Sequence, residues 1–204
     1  MVVKNIILDM LPSIWPMLLF VTVVAVTIRG AYLYDNGKKF ILYKELFALV
    51  FILYILCLYY ILTYRDSGGG VNLVPFKEMF RYTFGSYKFI KNIVGNILLF
   101  LPFGFFVSYY LDTDEIGLPL VISFIVSLCA EGMQYYLGRV FDIDDIILNL
   151  IGGFLGSLIF ILFSSIRERL PKFMRSDGFL NFVIIVIVVL IVLYSMGIKV
   201  FSFL

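Results

Sequence analysis

Long apolar stretches separated by short polar segments divide this chain into six candidate membrane spans. A helix needs about 20 mostly apolar residues to cross the hydrocarbon core of a bilayer. Six stretches meet this requirement, at 11–29, 44–64, 92–111, 117–137, 145–166 and 179–199. The first stretch lacks a small-residue cleavage pattern and ends at Arg29, so we expect a retained helix rather than a signal peptide. The pattern therefore predicts an all-α, multi-pass bundle of about six transmembrane helices.

The second predicted loop, residues 65–91, carries aromatic and basic side chains at helical spacing. Pro75 follows a Ser-Gly run and suits the first turn of a helix. The aromatic stripe consists of Phe76, Phe80, Phe84 and Tyr87, and the adjacent basic stripe of Lys77, Arg81, Lys88 and Lys91. Such neighbouring stripes are typical of a helix that lies in the headgroup plane. We therefore predict an interfacial amphipathic helix that binds lipid headgroups, either as a plain anchor or as a lid over a pocket.

Polar side chains interrupt the fourth and fifth apolar stretches, where a lipid-facing helix would carry none. Glu131 and Gln134 are three positions apart near the end of the fourth stretch. The polar and small positions that follow fall on one predicted helical stripe, formed by Asp142, Asp145, Asn149, Gly152 and Gly156. An ionisable group at membrane depth is costly and is normally kept for a task or a partner. We therefore predict that the two groups share a pocket.

Arg139, between these two stretches, is the cation nearest to Glu131 in the sequence. We expect the two side chains to form an ion pair, shared with Asp142 or Asp145, that neutralises the pocket. The alternative is that the aspartates of this region only cap the N-terminus of the fifth span. Capping alone does not explain why Asn149 continues the same face, so both interpretations stay open.

Composition restricts the chemistry that the pocket can perform. With 62% hydrophobic residues and a mean hydropathy of +1.05, the chain is not an ordinary soluble protein, and we expect membrane lipids rather than nucleic acid as partners. Histidine is absent, which excludes Ser-His-Asp and Cys-His catalysis and HExxH zinc sites. Glu131, Asp142 and Asp145 could hold a hard divalent cation through oxygen ligands, but their spacing matches no dedicated metal loop. We predict no cofactor and keep the divalent cation as the alternative.

The positions of the basic residues, rather than their number, decide the predicted orientation. Of the 16 Lys and Arg residues, half fall on each side of the membrane. The first and fifth loops are short and hold dense basic clusters against helix ends, which is the pattern that marks the cytoplasmic side. We therefore place the first, third and fifth loops in the cytoplasm, and the second and fourth loops, which carry the polar motifs, outside.

An ordered set of short motifs within residues 70–165 resembles the VanZ family of bacterial membrane proteins. In chain order these are Asn72-Leu73-Val74-Pro75-Phe76, Asn92-Ile93-Val94-Gly95-Asn96, Leu101-Pro102-Phe103-Gly104, Glu131-x-x-Gln134, Gly138-Arg139-x-Phe141-Asp142-x-x-Asp145 and Asn149-x-x-Gly152. The resemblance implies a place in the bacterial plasma membrane and an association with lowered susceptibility to teicoplanin-type glycopeptide antibiotics. We divide the chain into two N-terminal helices (1–64), a VanZ-like core (65–166), and a basic loop with the last helix (167–204).

Three functions fit these features. The leading hypothesis is an outward pocket that binds an amphiphilic ligand, such as a lipid-linked cell-wall precursor or a lipoglycopeptide. The alternatives are a carboxylate-based intramembrane hydrolase or transferase and a lipid transporter. The expected pocket residues are Glu131, Gln134, Arg139, Asp142, Asp145, Asn149, Asn72, Asn92 and Asn96. The oligomeric state is left open.

Overall fold

The computed structural model describes residues 2–63, 69–77 and 79–195, and within these ranges the side chains from residue 12 to residue 192. Its longer helices are α1 (Val2–Asp35), α2 (Leu42–Thr63), α4 (Gly95–Leu111), α5 (Gly117–Tyr136), α6 (Ile143–Arg169) and α7 (Asp177–Ser195). A short helix α3 (Tyr87–Phe89) continues into α4 through a π-helical turn, Ile90–Val94. With 78% of residues in helices, the predicted all-α class is confirmed.

Five helices are long and apolar enough to cross a membrane in the described part of the chain. They are Pro12–Asp35, Leu42–Thr63, Tyr87–Leu111, Gly117–Tyr136 and Ile143–Arg169. These correspond to the first five predicted spans. The sixth prediction, 179–199, coincides with α7, whose apolar part Asp177–Val192 is shorter than the other five. Positions 196–199 of that prediction lie outside the described residues.

The chain forms two compact units. One consists of Met1–Leu56 with Arg169–Leu204, and the other of Cys57–Glu168. In the first unit, Arg29 at the end of α1 pairs with Glu45 at the start of α2 through two hydrogen bonds of 2.6 and 2.9 Å. The backbone N–H of Tyr43 donates to Asn181 Oδ1 at 3.0 Å, and its hydroxyl donates to Asp177 Oδ1 at 2.9 Å. Polar contacts therefore join the first turn of α7 to the first turn of α2.

The core of the second unit depends on close contacts between α4 and α6. A Cβ atom at Gly156 would lie 2.0 Å from the carbonyl oxygen of Leu101, and one at Gly152 would lie 2.3 Å from that of Ile97. A Cβ atom at Gly104 of α4 would likewise lie 2.0 Å from the carbonyl oxygen of Gly153. Only glycine leaves room for backbones at this separation, as in membrane helix pairs generally. Gly152 and Gly156 of the predicted stripe therefore allow α6 to approach α4 closely.

The described residues of the second loop do not form the amphipathic helix predicted from Pro75. Its described residues form strand β1 (Gly70–Asn72), a turn, a three-residue 3₁₀ helix (Met79–Arg81) and a second turn before α3. Phe76 has φ of 66° and Gly85 has φ of 75°, both in the left-handed region, where a right-handed helix cannot continue. The backbone N–H groups of Phe76 and Met79 donate to a distant carboxylate instead of to helix carbonyls.

A parallel pair of short strands joins the second and fourth loops. Strand β1 pairs with β2 (Val140–Asp142), and Asn72 lies opposite Asp142. Asp142 therefore belongs to a strand, and its predicted place on the helical stripe of the fifth span is wrong, because α6 begins only at Ile143. The pairing brings both motif-bearing loops together at one end of the second unit.

Candidate functional site

The paired strands begin the polar cluster of the second unit. Asn72, which is buried, donates from Nδ2 to Asp142 Oδ1 at 2.9 Å. Its own Oδ1 accepts the backbone N–H of Val74 at 3.4 Å, which starts the turn that follows β1. The side chain of Asn72, the first residue of the Asn72-Leu73-Val74-Pro75-Phe76 motif, thus joins the second loop to the fourth.

Asp144 is the second link between the loops. Its side chain is 1% exposed, and its carboxylate accepts the backbone N–H groups of Phe76 and, at 3.2 Å, Met79. Its own N–H donates to Asp142 Oδ1 at 2.9 Å. An aspartate near a helix N-terminus usually binds the N–H groups of its own first turn, whereas this carboxylate binds those of another loop.

Asp144 was not among the predicted site residues, since it lies off the helical face that carries Asp145 and Asn149. Helical periodicity identifies only residues that share one face of one helix, so it cannot select a residue on another face. The available signal was the density of acids, with three aspartates within four positions at the start of a span. That density exceeds what capping of one helix requires.

Glu131 and Arg139 are connected through Gln134 rather than directly. Glu131 is 1% exposed, and its Oε2 accepts the backbone N–H of Asp142 at 3.1 Å. In the amide orientation that satisfies both neighbours, Gln134 Nε2 donates to Glu131 Oε1 at 3.0 Å and its Oε1 accepts from Arg139 Nη1 at 3.1 Å. The predicted direct ion pair is therefore wrong, because the buried amide occupies the space between the two charged groups. Arg139 Nη1 also donates to the carbonyl of Leu62, at 3.4 Å.

The remaining predicted residues divide into those that join the cluster and one that does not. Asp145 accepts from Asn96 Nδ2, a contact that connects α6 to α4. Asn149, which is buried, donates to Ser127 Oγ at 2.9 Å and connects α6 to α5. Asn92 lies partly exposed in the π-helical turn and has no side-chain hydrogen bond with the described residues.

Metal binding finds no support in the described part of the chain. No group of three or more Asp, Glu, Cys or His side chains lies close enough there to hold a metal ion. Glu131, Asp142 and Asp145, the alternative ligands of a divalent cation, therefore do not form such a set. Their oxygen atoms accept bonds from backbone N–H groups and amide side chains instead.

The predicted headgroup-binding residues all lie on the surface of the segment from residue 73 to residue 91, which we call the aromatic-basic loop. Lys77, Arg81, Lys88 and Lys91 are exposed. Between them in the sequence, Phe80 and Phe84 are 86% and 88% exposed. In the chain, the loop follows the candidate span Leu42–Thr63 and overlaps the start of the candidate span Tyr87–Leu111.

The electrostatic character of the polar cluster follows from its members. Four carboxyl groups, those of Glu131, Asp142, Asp144 and Asp145, lie in the cluster together with the guanidinium group of Arg139. Backbone and amide donors satisfy part of the acceptor capacity of these acids, which have about four lone-pair sites each. The cluster is therefore rich in acceptor oxygens, while the aromatic-basic loop beside it exposes basic side chains.

Comparison with known proteins indicates the same family as the sequence motifs. A family model described as VanZ/LLP1 matches residues 51–164, which is more than half of the chain. Protein VanZ of Enterococcus faecium is 28% identical over 134 residues, which cover 64% of this chain and 74% of that protein. No solved structure matches the chain. The matched residues include the whole polar cluster and the aromatic-basic loop. The chain therefore belongs to the VanZ/LLP1 family, and its apolar helices are those of a multi-pass membrane protein.

Proposed function

We propose that this chain lowers the susceptibility of bacteria to teicoplanin-type antibiotics, and that its polar cluster binds an amphiphilic ligand at the outer leaflet of the plasma membrane. The family supports the association with antibiotic susceptibility. The position of the cluster, at the point where two loops meet beside the ends of candidate spans, supports a ligand that is partly embedded in the bilayer.

One observation carries the ligand-binding part of the proposal. Glu131 and Asp144 are each 1% exposed, and both belong to a cluster of four carboxyl groups. Burying carboxylates is expensive, and at membrane depth such groups are typically functional. A ligand that carries hydrogen-bond donors or an ammonium group would complement this acceptor-rich cluster.

The neighbouring surface suggests the rest of the ligand. A molecule with an amine or several hydroxyl groups near the acids, an anionic group near Lys77 and Lys88, and an acyl tail in the bilayer would match all three environments. A lipid-linked cell-wall precursor and a lipoglycopeptide both have this general chemistry.

Antibiotic susceptibility tests the proposal directly. Cells that express the wild-type chain, Glu131→Gln, Asp145→Asn or Arg139→Ala would be compared by the minimal inhibitory concentration of teicoplanin, with the amount of protein in the membrane measured in each case. We expect the three variants to lose the protection that the wild type gives, because each removes an ionisable group from the cluster.

The matched control is Glu115→Gln, which removes an exposed acid from the turn between α4 and α5. This variant should protect as well as the wild type. If all three cluster variants protect fully at equal protein levels, the polar cluster has no part in the activity. Chemically altered lipid, seen by mass spectrometry only with the wild type, would instead favour the hydrolase or transferase hypothesis.

A further inference from the structure

The aromatic-basic loop exposes more aromatic surface than a water-facing loop normally does. Phe76, Phe80 and Phe84 are 48%, 86% and 88% exposed, and Tyr87 is 53% exposed. Contiguous exposed apolar surface of this kind marks an interaction site. Aromatic rings are enriched where a protein crosses the boundary between lipid and water, and this loop connects two candidate spans.

Charge complementarity identifies the partner. Residues 70–91 contain four basic residues and one acid, a net charge of +3. Lys77, Arg81, Lys88 and Lys91 are exposed around the phenylalanine rings. Basic side chains that alternate with exposed aromatic rings match a surface with anionic headgroups above an apolar layer, which is the surface of a bilayer rich in anionic phospholipid.

Around Phe76 the loop is held in a fixed shape although this part is a turn and not a helix. Phe76 has φ of 66°, a conformation that is sterically unfavourable for a bulky residue. A backbone conformation of this kind persists only where the surrounding structure imposes it. Here the buried carboxylate of Asp144 accepts the N–H groups of Phe76 and Met79. The Phe76 and Phe80 rings lie 6.3 Å apart on the loop surface.

We propose that the aromatic-basic loop binds anionic phospholipid headgroups, with its phenylalanine rings inserted beside them, and that Asp144 is the positioning residue that fixes the loop for this contact. The carboxylate acts from inside the protein through two backbone N–H groups and does not itself touch lipid. The inference concerns the membrane surface and does not depend on the proposed antibiotic role.

Tryptophan fluorescence tests the lipid contact, since the chain has a single tryptophan, Trp15. In a Trp15→Phe background, Phe80→Trp places a reporter on the loop. The full chain would be reconstituted in nanodiscs of phosphatidylcholine with or without phosphatidylglycerol, each containing lipid brominated near the headgroup. We expect bromine to quench the reporter, and phosphatidylglycerol to strengthen the quenching severalfold.

Substitutions separate the charge contribution from the positioning contribution. The pair Lys77→Gln and Lys88→Gln changes only exposed side chains and should abolish the effect of phosphatidylglycerol. Asp144→Asn should reduce quenching in both bilayers, because an amide is a weaker acceptor for the two N–H groups. The control reporter Phe173→Trp is also exposed and belongs to the other compact unit, so Asp144→Asn should leave its signal unchanged.

Each contrary result removes a defined part of the proposal. An unquenched Phe80→Trp reporter in both bilayers would mean that the loop faces water. Quenching that is indifferent to phosphatidylglycerol and to the lysine pair would remove the anionic headgroup as the partner. Unchanged quenching in a folded Asp144→Asn protein would remove the positioning role. Strengthening by added teicoplanin, but not by phosphatidylglycerol, would reassign the loop to the antibiotic.

Discussion

Asn72 and Asp142 illustrate why an amide faces a carboxyl group where β1 and β2 meet. The Asn72 side chain can donate to Asp142 Oδ1 while its oxygen accepts the N–H of Val74. An acid at position 72 could accept the second bond but could not make the first while ionised, and it would bring two negative charges together. The amide therefore satisfies both neighbours without adding charge to an acid-rich cluster.

Substitutions at this pair should show the difference. We expect Asn72→Ala to lower the free energy of unfolding by about 1–3 kcal/mol, the usual penalty for a buried polar group that loses its partner. Asn72→Asp should cost more, because charge repulsion is added. The measurement is the melting temperature of the purified protein in detergent.

The exchanged double variant, Asn72→Asp with Asp142→Asn, serves as the control for that pair. It restores one amide and one carboxyl group at the two positions, so it should recover part of the stability lost in Asn72→Asp. A double variant that melts below both Asn72→Asp and Asp142→Asn would show that the contact between these side chains is not what stabilises the loops.

The Gln134 side chain also satisfies two neighbours at once, but here the neighbours are an acidic and a basic group. Its amide gives a donor to Glu131 and an acceptor to Arg139 at the same time. The order of these residues in the sequence favours an ion pair between them. The sequence could not reveal that the amide lies between them, because this depends on how the chain turns at Gly138, which has φ of 86°.

At the scale of secondary structure, the contact between α4 and α6 is the most sensitive feature of the second unit. We expect Gly156→Ala to destabilise the protein by at least about 1–3 kcal/mol, since the new methyl group would overlap the backbone of Leu101 and force the helices apart. Thermal melting measured by size-exclusion chromatography in detergent would detect this loss.

Gly132 of α5 provides the matched control. A Cβ atom at this position meets no other atom within 4 Å, so Gly132→Ala should leave the melting temperature unchanged or raise it slightly. Equal losses at the two positions would contradict the packing explanation and point to a general effect on the helices.

The elements were predictable where local physics decides them and unpredictable where distant contacts do. Five spans follow from the length of apolar stretches alone, because a bilayer imposes that length. The aromatic-basic loop has the spacing of a helix, yet the conformation of Phe76 depends on a carboxylate 68 residues further along the chain. Asp142 likewise leaves the predicted helical face because it pairs with β1. Neither of these two contacts can be predicted from the periodicity of the sequence.

For the molecule as a whole, the proposed orientation has a direct test. In a Cys57→Ser, Cys129→Ser background, Thr83→Cys reports on the aromatic-basic loop and Gly178→Cys on the segment after the basic fifth loop; both positions are exposed. With a membrane-impermeant maleimide on intact cells, we expect labelling at position 83 only, because basic clusters remain in the cytoplasm.

Permeabilised cells are the control for that experiment, and both cysteines should then react. Labelling at position 178 but not at 83 in intact cells would reverse the orientation. The polar cluster would then face the cytoplasm, and a ligand at the outer leaflet could not be its partner.

The parallel pairing of β1 with β2 also constrains how the protein is made. Gly70 leaves the ribosome 70 residues before its partner Val140. At about 5–20 residues per second, this delay lasts roughly 4 to 14 seconds. During that interval neither Asp142 nor Asp144 has been synthesised, so the second loop has neither its strand partner nor its carboxylate acceptor. A nascent chain arrested before residue 140 should therefore leave this loop open to proteases that the finished protein resists.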